Sequence, residues 1–191
     1  MNIDFSFAQE QDRKDDLAHF RDKFYIPKYQ GKDAIYLCGN SLGLQPKAVS
    51  QAINIELDKW QKYGVEGHFV GEQAWWQYRK PIKPLLAQLL GAEASEVTIM
   101  NNLTTNLHLM LVSFYQPQGK RMKVLMEAGA FPSDQYALET HLQARGINPN
   151  ENIVEIAPRI GEHALRTEDI LSTIEQIGEE LALVMFGGVN Y

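Results

Sequence analysis

The sequence predicts an α/β fold, a mostly parallel sheet covered by helices, on three observations. From residue 122 onward, strand-like and helix-like runs alternate: 122–126 reads as a strand, 133–145 as a helix, 153–156 as a strand, 167–177 as a helix and 181–186 as a strand. A βαβαβ order of this kind joins parallel strands through crossover helices. The run LALVMF at 181–186 is apolar throughout, the composition of a strand buried on both faces. Finally, Leu107, Met110, Leu111 and Phe114 recur at i, i+3, i+4 and i+7, which predicts a helix buried on that face.

Taken in order, residues 8–24 are charged, with Leu17, Phe20 and Phe24 at helical spacing before Pro27, and read as a peripheral helix. A short β-prone run, 35–38, breaks into Gly39, Asn40, Ser41 and Gly43; this is either a plain loop or one that approaches a ligand closely. The next helix opens near Pro46, carries Val49, Ile53, Leu57 and Trp60 on one face, and ends at Tyr63 and Gly64. The loop GVEGHFVGEQAWW follows, with three glycines, His68, Trp75 and Trp76. It suits the rim of a site and equally a surface loop, with His68 either solvent-exposed or functional. Ile82, Leu85, Leu86 and Leu89 mark a helix that stops at Gly91.

The polar turn before the central helix contains Asn101, Asn102, Thr104 and Thr105. Thr104 or Thr105 is the expected N-cap, and the free N–H groups there also favour an anion such as phosphate. In the helix at 167–177, Thr167 is the expected N-cap, with Ile170, Ile174 and Ile177 facing the core. The stretch AGAFPSDQYAL, 128–138, follows a strand and opens a helix. Phe131, Ser133 and Asp134 therefore stand at a strand's carboxyl end, where ligands of open α/β sheets bind. Ser133 as a plain N-cap and Asp134 as a dipole partner explain the same residues.

A formal net charge of −6, with no basic cluster beyond KRMK at 120–123, argues against nucleic acid or an anionic membrane as partner. The single cysteine, Cys38, excludes an internal disulfide and is expected to be buried. No apolar run reaches membrane-spanning length and no signal peptide opens the chain, so a cytoplasmic protein is expected. The sequence contains no P-loop, dinucleotide fingerprint, HExxH, CxxC or GxSxG. Histidines 19, 68, 108, 141 and 163 are scattered, so no metal site is expected.

YLCGNSLGLQPK, ELDKWQKYGVEGHF, MNNLTTNLHLM, SFYQP, EAGAFPSDQYA, PRIGEHALRTEDI and LALVMFGGVNY, in this order and spacing, resemble the N-terminal part of kynureninase. That family comprises pyridoxal-phosphate enzymes of the aspartate aminotransferase fold. The resemblance implies residues 1–45 as an N-terminal extension and substrate-side loop, and 46–191 as the first part of a cofactor-binding large domain incomplete at its C-terminus. It implies hydrolysis of L-kynurenine, or its 3-hydroxy form, to anthranilate or hydroxyanthranilate and L-alanine, with pyridoxal 5'-phosphate as cofactor and a homodimer when full length. By position, Leu103 and Thr104 match the phosphate-binding turn, Phe131 the aromatic stacked on the pyridine ring, and Pro132, Ser133 and Asp134 the rest of that segment. Ser41 and His68 match positions near the substrate's aryl end. Gly187 stands where many relatives carry a phosphate-binding hydroxyl residue, and the family's Schiff-base lysine is expected beyond Tyr191, so no catalytic residue is assigned here. A non-catalytic truncated homologue that pairs with a full-length partner, and another enzyme of the fold such as a cysteine desulfurase, are the alternative readings.

Overall fold

The computed structural model describes residues 4–189. The chain divides into two compact units, Met1–Val97 and Thr98–Tyr191, described here in turn.

In the first unit, helix α1 (Phe5–Lys14) opens on Asp4, whose carboxylate accepts the Phe7 N–H at 2.8 Å. The single helix expected over 8–24 is split, because α1 stops at Asp15 and a 3-10 helix, Ala18–Lys23, follows. Asp15 adopts extended backbone and its side chain takes the Leu17 N–H at 2.8 Å, so the side chain competes with the helix for a backbone donor. Strands β1 (Lys28–Tyr29) and β2 (Lys32–Asp33) form an antiparallel hairpin. Its two turn residues, Gln30 and Gly31, both have positive φ, the backbone that matches the twist of a tight hairpin.

The strand expected at 35–38 does not form: Ile35 and Leu37 are almost fully exposed, and no described segment pairs with them. Cys38 is exposed rather than buried for the same reason, since an unpaired loop has no core to enter. Helix α2 (Val49–Tyr63) ends at Gly64 with φ 53°, and α3 (Lys83–Leu90) ends at the left-handed Gly91, as the glycines predict. The apolar stripe of α2 is not a core face within this unit, as Ile53, Leu57 and Trp60 are each more than half exposed. Its one buried residue is Lys59.

The second unit runs α4 (Leu103–Phe114), β3 (Lys123–Glu127), α5 (Pro132–Ala144), the short α6 (Pro149–Asn152), β4 (Ile153–Ile156), α7 (Thr167–Ile177) and β5 (Leu181–Met185). The three strands form a wholly parallel sheet in the order β4-β3-β5, as the βαβαβ pattern predicts. Central β3 is the buried strand, with Val124, Leu125 and Met126 essentially inaccessible. Strand β5, expected to be buried on both faces, pairs only with β3 among the described residues and leaves Val184 exposed, because it stands at the sheet's edge.

Leu111, Tyr115, Val124, Met126, Leu138 and Leu142 make the core. The buried face of α4 is therefore Leu107, Leu111 and Tyr115, whereas the expected Met110 and Phe114 are exposed. The helix is rotated because Tyr115, just past its last residue, anchors the packing. Two N-cap assignments also move. Asn102 caps α4 by accepting the Thr105 N–H at 2.9 Å, ahead of Thr104 and Thr105, which both lie inside the helix. Arg166 occupies the N-cap position of α7, with Thr167 inside the helix.

Candidate functional site

The order β4-β3-β5 makes the chain step from β3 to one side and then cross back to the other, so a topological switch point lies between β3 and β5. In such sheets the crevice beyond the carboxyl ends of the strands receives ligands. Here those ends lead into Ala128-Gly129-Ala130-Phe131 and Phe186-Gly187-Gly188. Gly129 has φ 69°, the left-handed backbone that turns the chain out of β3 and into α5.

Two helices begin at this end of the sheet. The Tyr115 ring, at the end of α4, lies 5.8 Å from the His141 ring and 5.7 Å from the Arg145 guanidinium at the end of α5. Tyr115 also donates from its hydroxyl to the Met122 carbonyl, just before β3, at 2.6 Å. Both helices thus end beside the amino end of β3, and both start beside its carboxyl end; α4, at roughly 1.5 Å per residue, is long enough to span that strand. This brings Leu103 and Thr104 to the same end as Phe131, Pro132, Ser133 and Asp134.

At the start of α4, Asn102 satisfies the Thr105 N–H, while the N–H groups of Leu103 and Thr104 lie ahead of the helical ladder and remain available. Leu103 is exposed and Thr104 half-buried, and the Thr104 hydroxyl has no protein partner among the described residues. One turn on, the buried Asn106 Oδ1 has no hydrogen-bond partner there either, while its Nδ2 donates to the Asn101 carbonyl at 3.2 Å. At the start of α5, Ser133 is not the N-cap: Phe131 takes that position and Pro132 the first helical one. The Ser133 hydroxyl instead lies 3.3 Å from Asp134 Oδ1. Phe131 is about half exposed, at 52%. At the start of α5 Pro132 has no N–H, and the Asp134 and Gln135 N–H groups bond to the Phe131 carbonyl, so the donors for an anion are the Leu103 and Thr104 N–H groups and the Thr104 hydroxyl of α4, a set that fits a phosphate. Gly187 contributes no hydroxyl, and a Cβ built there would meet the Val189 carbonyl oxygen at 3.2 Å.

Ser41 and His68 belong to the first unit. Ser41 is exposed, in a turn where its N–H and that of Leu42 both bond to the Cys38 carbonyl. His68 is exposed at the end of a 3-10 turn, Gly64–His68, with its ring 5.1 Å from Trp75 at 80°. Trp75 donates from Nε1 to Glu56 Oε2 at 2.6 Å, and the Lys59 ammonium bonds both Glu56 oxygens and the Gln73 carbonyl. Burial alone would raise the Glu56 carboxyl, but the hydrogen bonds from Trp75 and Lys59 and the Lys59 charge outweigh it and hold the pKa below its usual value. Glu56, Leu57, Trp60, Trp75 and Tyr78 line a shallow pocket of about 610 Å³. This network was not read from the sequence; the signal for it was Glu56 and Lys59 at i, i+3, flanking the apolar stripe.

No family model matches the chain. Among solved structures, a lysine-to-alanine variant of C-DES with glycine covalently linked to its PLP cofactor superposes with a TM-score of 0.58 at 16% identity, over 89% of this chain and 39% of that one. The chain therefore shares its α/β fold with part of that PLP-linked protein. Sequence likeness is narrower. The kynureninase of Christiangramia forsetii is 51% identical over 185 residues, that of Flavobacterium johnsoniae 50% over 185 and that of Homo sapiens 46% over 196. The chain is a relative of the kynureninases along 96–97% of its own length, and spans 42–44% of theirs.

Proposed function

We propose that this chain supplies part of the cofactor and substrate site of a kynureninase, an enzyme that hydrolyses the Cβ–Cγ bond of L-kynurenine or 3-hydroxykynurenine to an anthranilate and L-alanine. The single observation that carries the reading is the 51% identity to a curated kynureninase over 97% of the chain, joined to the paired helix starts at the sheet's carboxyl end. Pyridoxal 5'-phosphate, when bound, supplies an electron sink for carbanions next to the substrate's amino carbon.

In this reading the Leu103 and Thr104 N–H groups and the Thr104 hydroxyl hold the phosphate, where the helix dipole favours negative charge. Phe131 covers one face of the pyridine ring and, with Pro132, keeps water from it. Ser133 and Asp134 hydrogen-bond around the ring's edge. Ser41 and His68 face the aryl end of the substrate. No lysine in the chain matches the family's cofactor-anchoring motif, so the segment binds without catalysing, and the full-length protein works as a cytoplasmic homodimer. Among the described residues no helix is long and apolar enough to cross a membrane.

The test is a titration of the 191-residue chain with pyridoxal phosphate, followed by absorbance, borohydride reduction and peptide mapping. The expected result is weak binding with no unique labelled lysine, and cleavage of kynurenine only by a chain extended to the length of its relatives. Stoichiometric labelling of one lysine in this chain would overturn the partial-site account. An extended chain that turned over cysteine and left kynurenine intact would overturn the substrate assignment.

A further inference from the structure

We propose that Trp75 is a positioning residue for His68, held in place by Glu56 and Lys59 of α2; the value of that positioning for a substrate rests on the reading of His68 given above. Lys59 is the buried charge of α2. It is 9% exposed, and taking an ammonium out of water is costly unless it is paired and fully hydrogen-bonded. Here all its bonds go to two targets: the Glu56 carboxylate, at 3.0 and 3.1 Å, and the Gln73 carbonyl, at 3.1 Å. Gln73 has φ 55°, a backbone that non-glycine residues adopt at a cost and keep only when their surroundings impose it. Lys59 is that imposition. It fixes the loop two residues before Trp75, while Glu56 fixes the indole N–H itself at 2.6 Å.

An indole pinned at both its backbone and its nitrogen presents a rigid edge, and the turn that carries His68 packs on it. Gly67 is buried, and a Cβ there would meet the six-membered ring of Trp75 at 3.0 Å, so the peptide preceding His68 lies directly against the indole. The His68 ring then meets Trp75 at 5.1 Å in an edge-to-face arrangement, a geometry favoured by about 0.5–1.5 kcal/mol between aromatic rings. An exposed imidazole would otherwise sample several rotamers on the nanosecond scale. The chain of contacts Lys59–Glu56–Trp75–His68 converts it into a ring with one orientation.

The test uses the 191-residue chain, uniformly labelled in its histidine rings, with the His68 signal assigned by its loss in His68→Asn. Relaxation of the His68 ring C–H is expected to show a rigid group in the native protein, with an order parameter near about 0.85, falling below about 0.6 in Trp75→Leu. Glu56→Gln keeps an acceptor for the indole and is expected to retain the rigid His68 signal, and so is Trp76→Leu, whose side chain is 72% exposed. A purely structural role for Trp75 would lower the melting temperature in Trp75→Leu without changing the His68 order parameter. That outcome, or a His68 ring already averaged in the native chain, would overturn the proposal. Neither depends on pyridoxal phosphate or kynurenine, so failure here is separable from failure of the proposed function.

Discussion

The Tyr115 hydroxyl donates to the Met122 carbonyl at 2.6 Å from a side chain with no solvent exposure. This bond ties the end of α4 to the start of β3, while the turn at Gly129 leads from the other end of β3 into α5. Burial raises the phenol pKa against the opposing effect of Arg145, so the hydroxyl stays protonated and remains a donor. Tyr115→Phe keeps the ring but leaves a carbonyl without its partner. The expected cost is about 1–2 kcal/mol in urea denaturation, whereas Tyr115→Ala, which also opens a cavity, is expected to cost about 3–5 kcal/mol.

The same ring predicts an acid sensitivity. His141 lies against Tyr115 and accepts the Arg145 Nε–H on Nε2 at 2.9 Å, which requires a neutral imidazole. Burial first, then the Arg145 charge and then His108, push its pKa below the ordinary 6.5. The unfolded chain therefore binds a proton at higher pH than the folded one. Stability from this group is complete above the unfolded value and is lost as pH falls through the folded one. Chemical denaturation between about pH 7 and pH 5 is expected to show declining stability, with the slope reduced in His141→Gln; carboxylates contribute only at lower pH.

Variants of Asn102 and Thr104 test stability and the proposed phosphate binding separately at the start of α4. Asn102→Ala removes the acceptor for the Thr105 N–H and is expected to cost about 1 kcal/mol of stability. Thr104→Val removes a hydroxyl with no protein partner among the described residues. It is expected to change stability by less than about 0.5 kcal/mol while weakening pyridoxal phosphate binding by roughly tenfold, the loss of one hydrogen bond to a charged group. Calorimetric titration beside thermal melts distinguishes the two effects.

The parts legible in the sequence were those governed by local periodicity. The βαβαβ order, the glycine stops of α2 and α3, and the strand–turn–helix at Phe131 depend on neighbours a few residues apart. What escaped was decided by distant partners. The buried face of α4 turns because Tyr115 finds Met122 and His141, and the run at Ile35 stays unpaired because no strand among the described residues comes beside it. Within the candidate site, the positions of α4 and α5 were legible, since each helix follows a strand or turn signal. The Glu56–Lys59–Trp75 network was not, because it depends on a loop folding back 19 residues onto α2.

That network yields a final prediction on energetics. Lys59 and Glu56 are 8% and 28% exposed at their side chains, so the pair is largely removed from water, and breaking it from either side leaves the partner uncompensated. Lys59→Met keeps the volume and removes the charge, leaving Glu56 with only the Trp75 N–H and releasing the Gln73 carbonyl. The expected loss is about 2–3 kcal/mol, at or below the bottom of the roughly 3–5 kcal/mol of fully buried pairs because Glu56 is partly hydrated. Adding Glu56→Gln removes the unpaired charge and keeps an acceptor for the indole, so the double variant is expected to regain roughly half of that loss. A double-mutant cycle by urea denaturation at neutral pH reads the difference. Additive losses would show that the two side chains act independently, whereas recovery in the double variant identifies the ion pair as one unit holding the loop that carries His68.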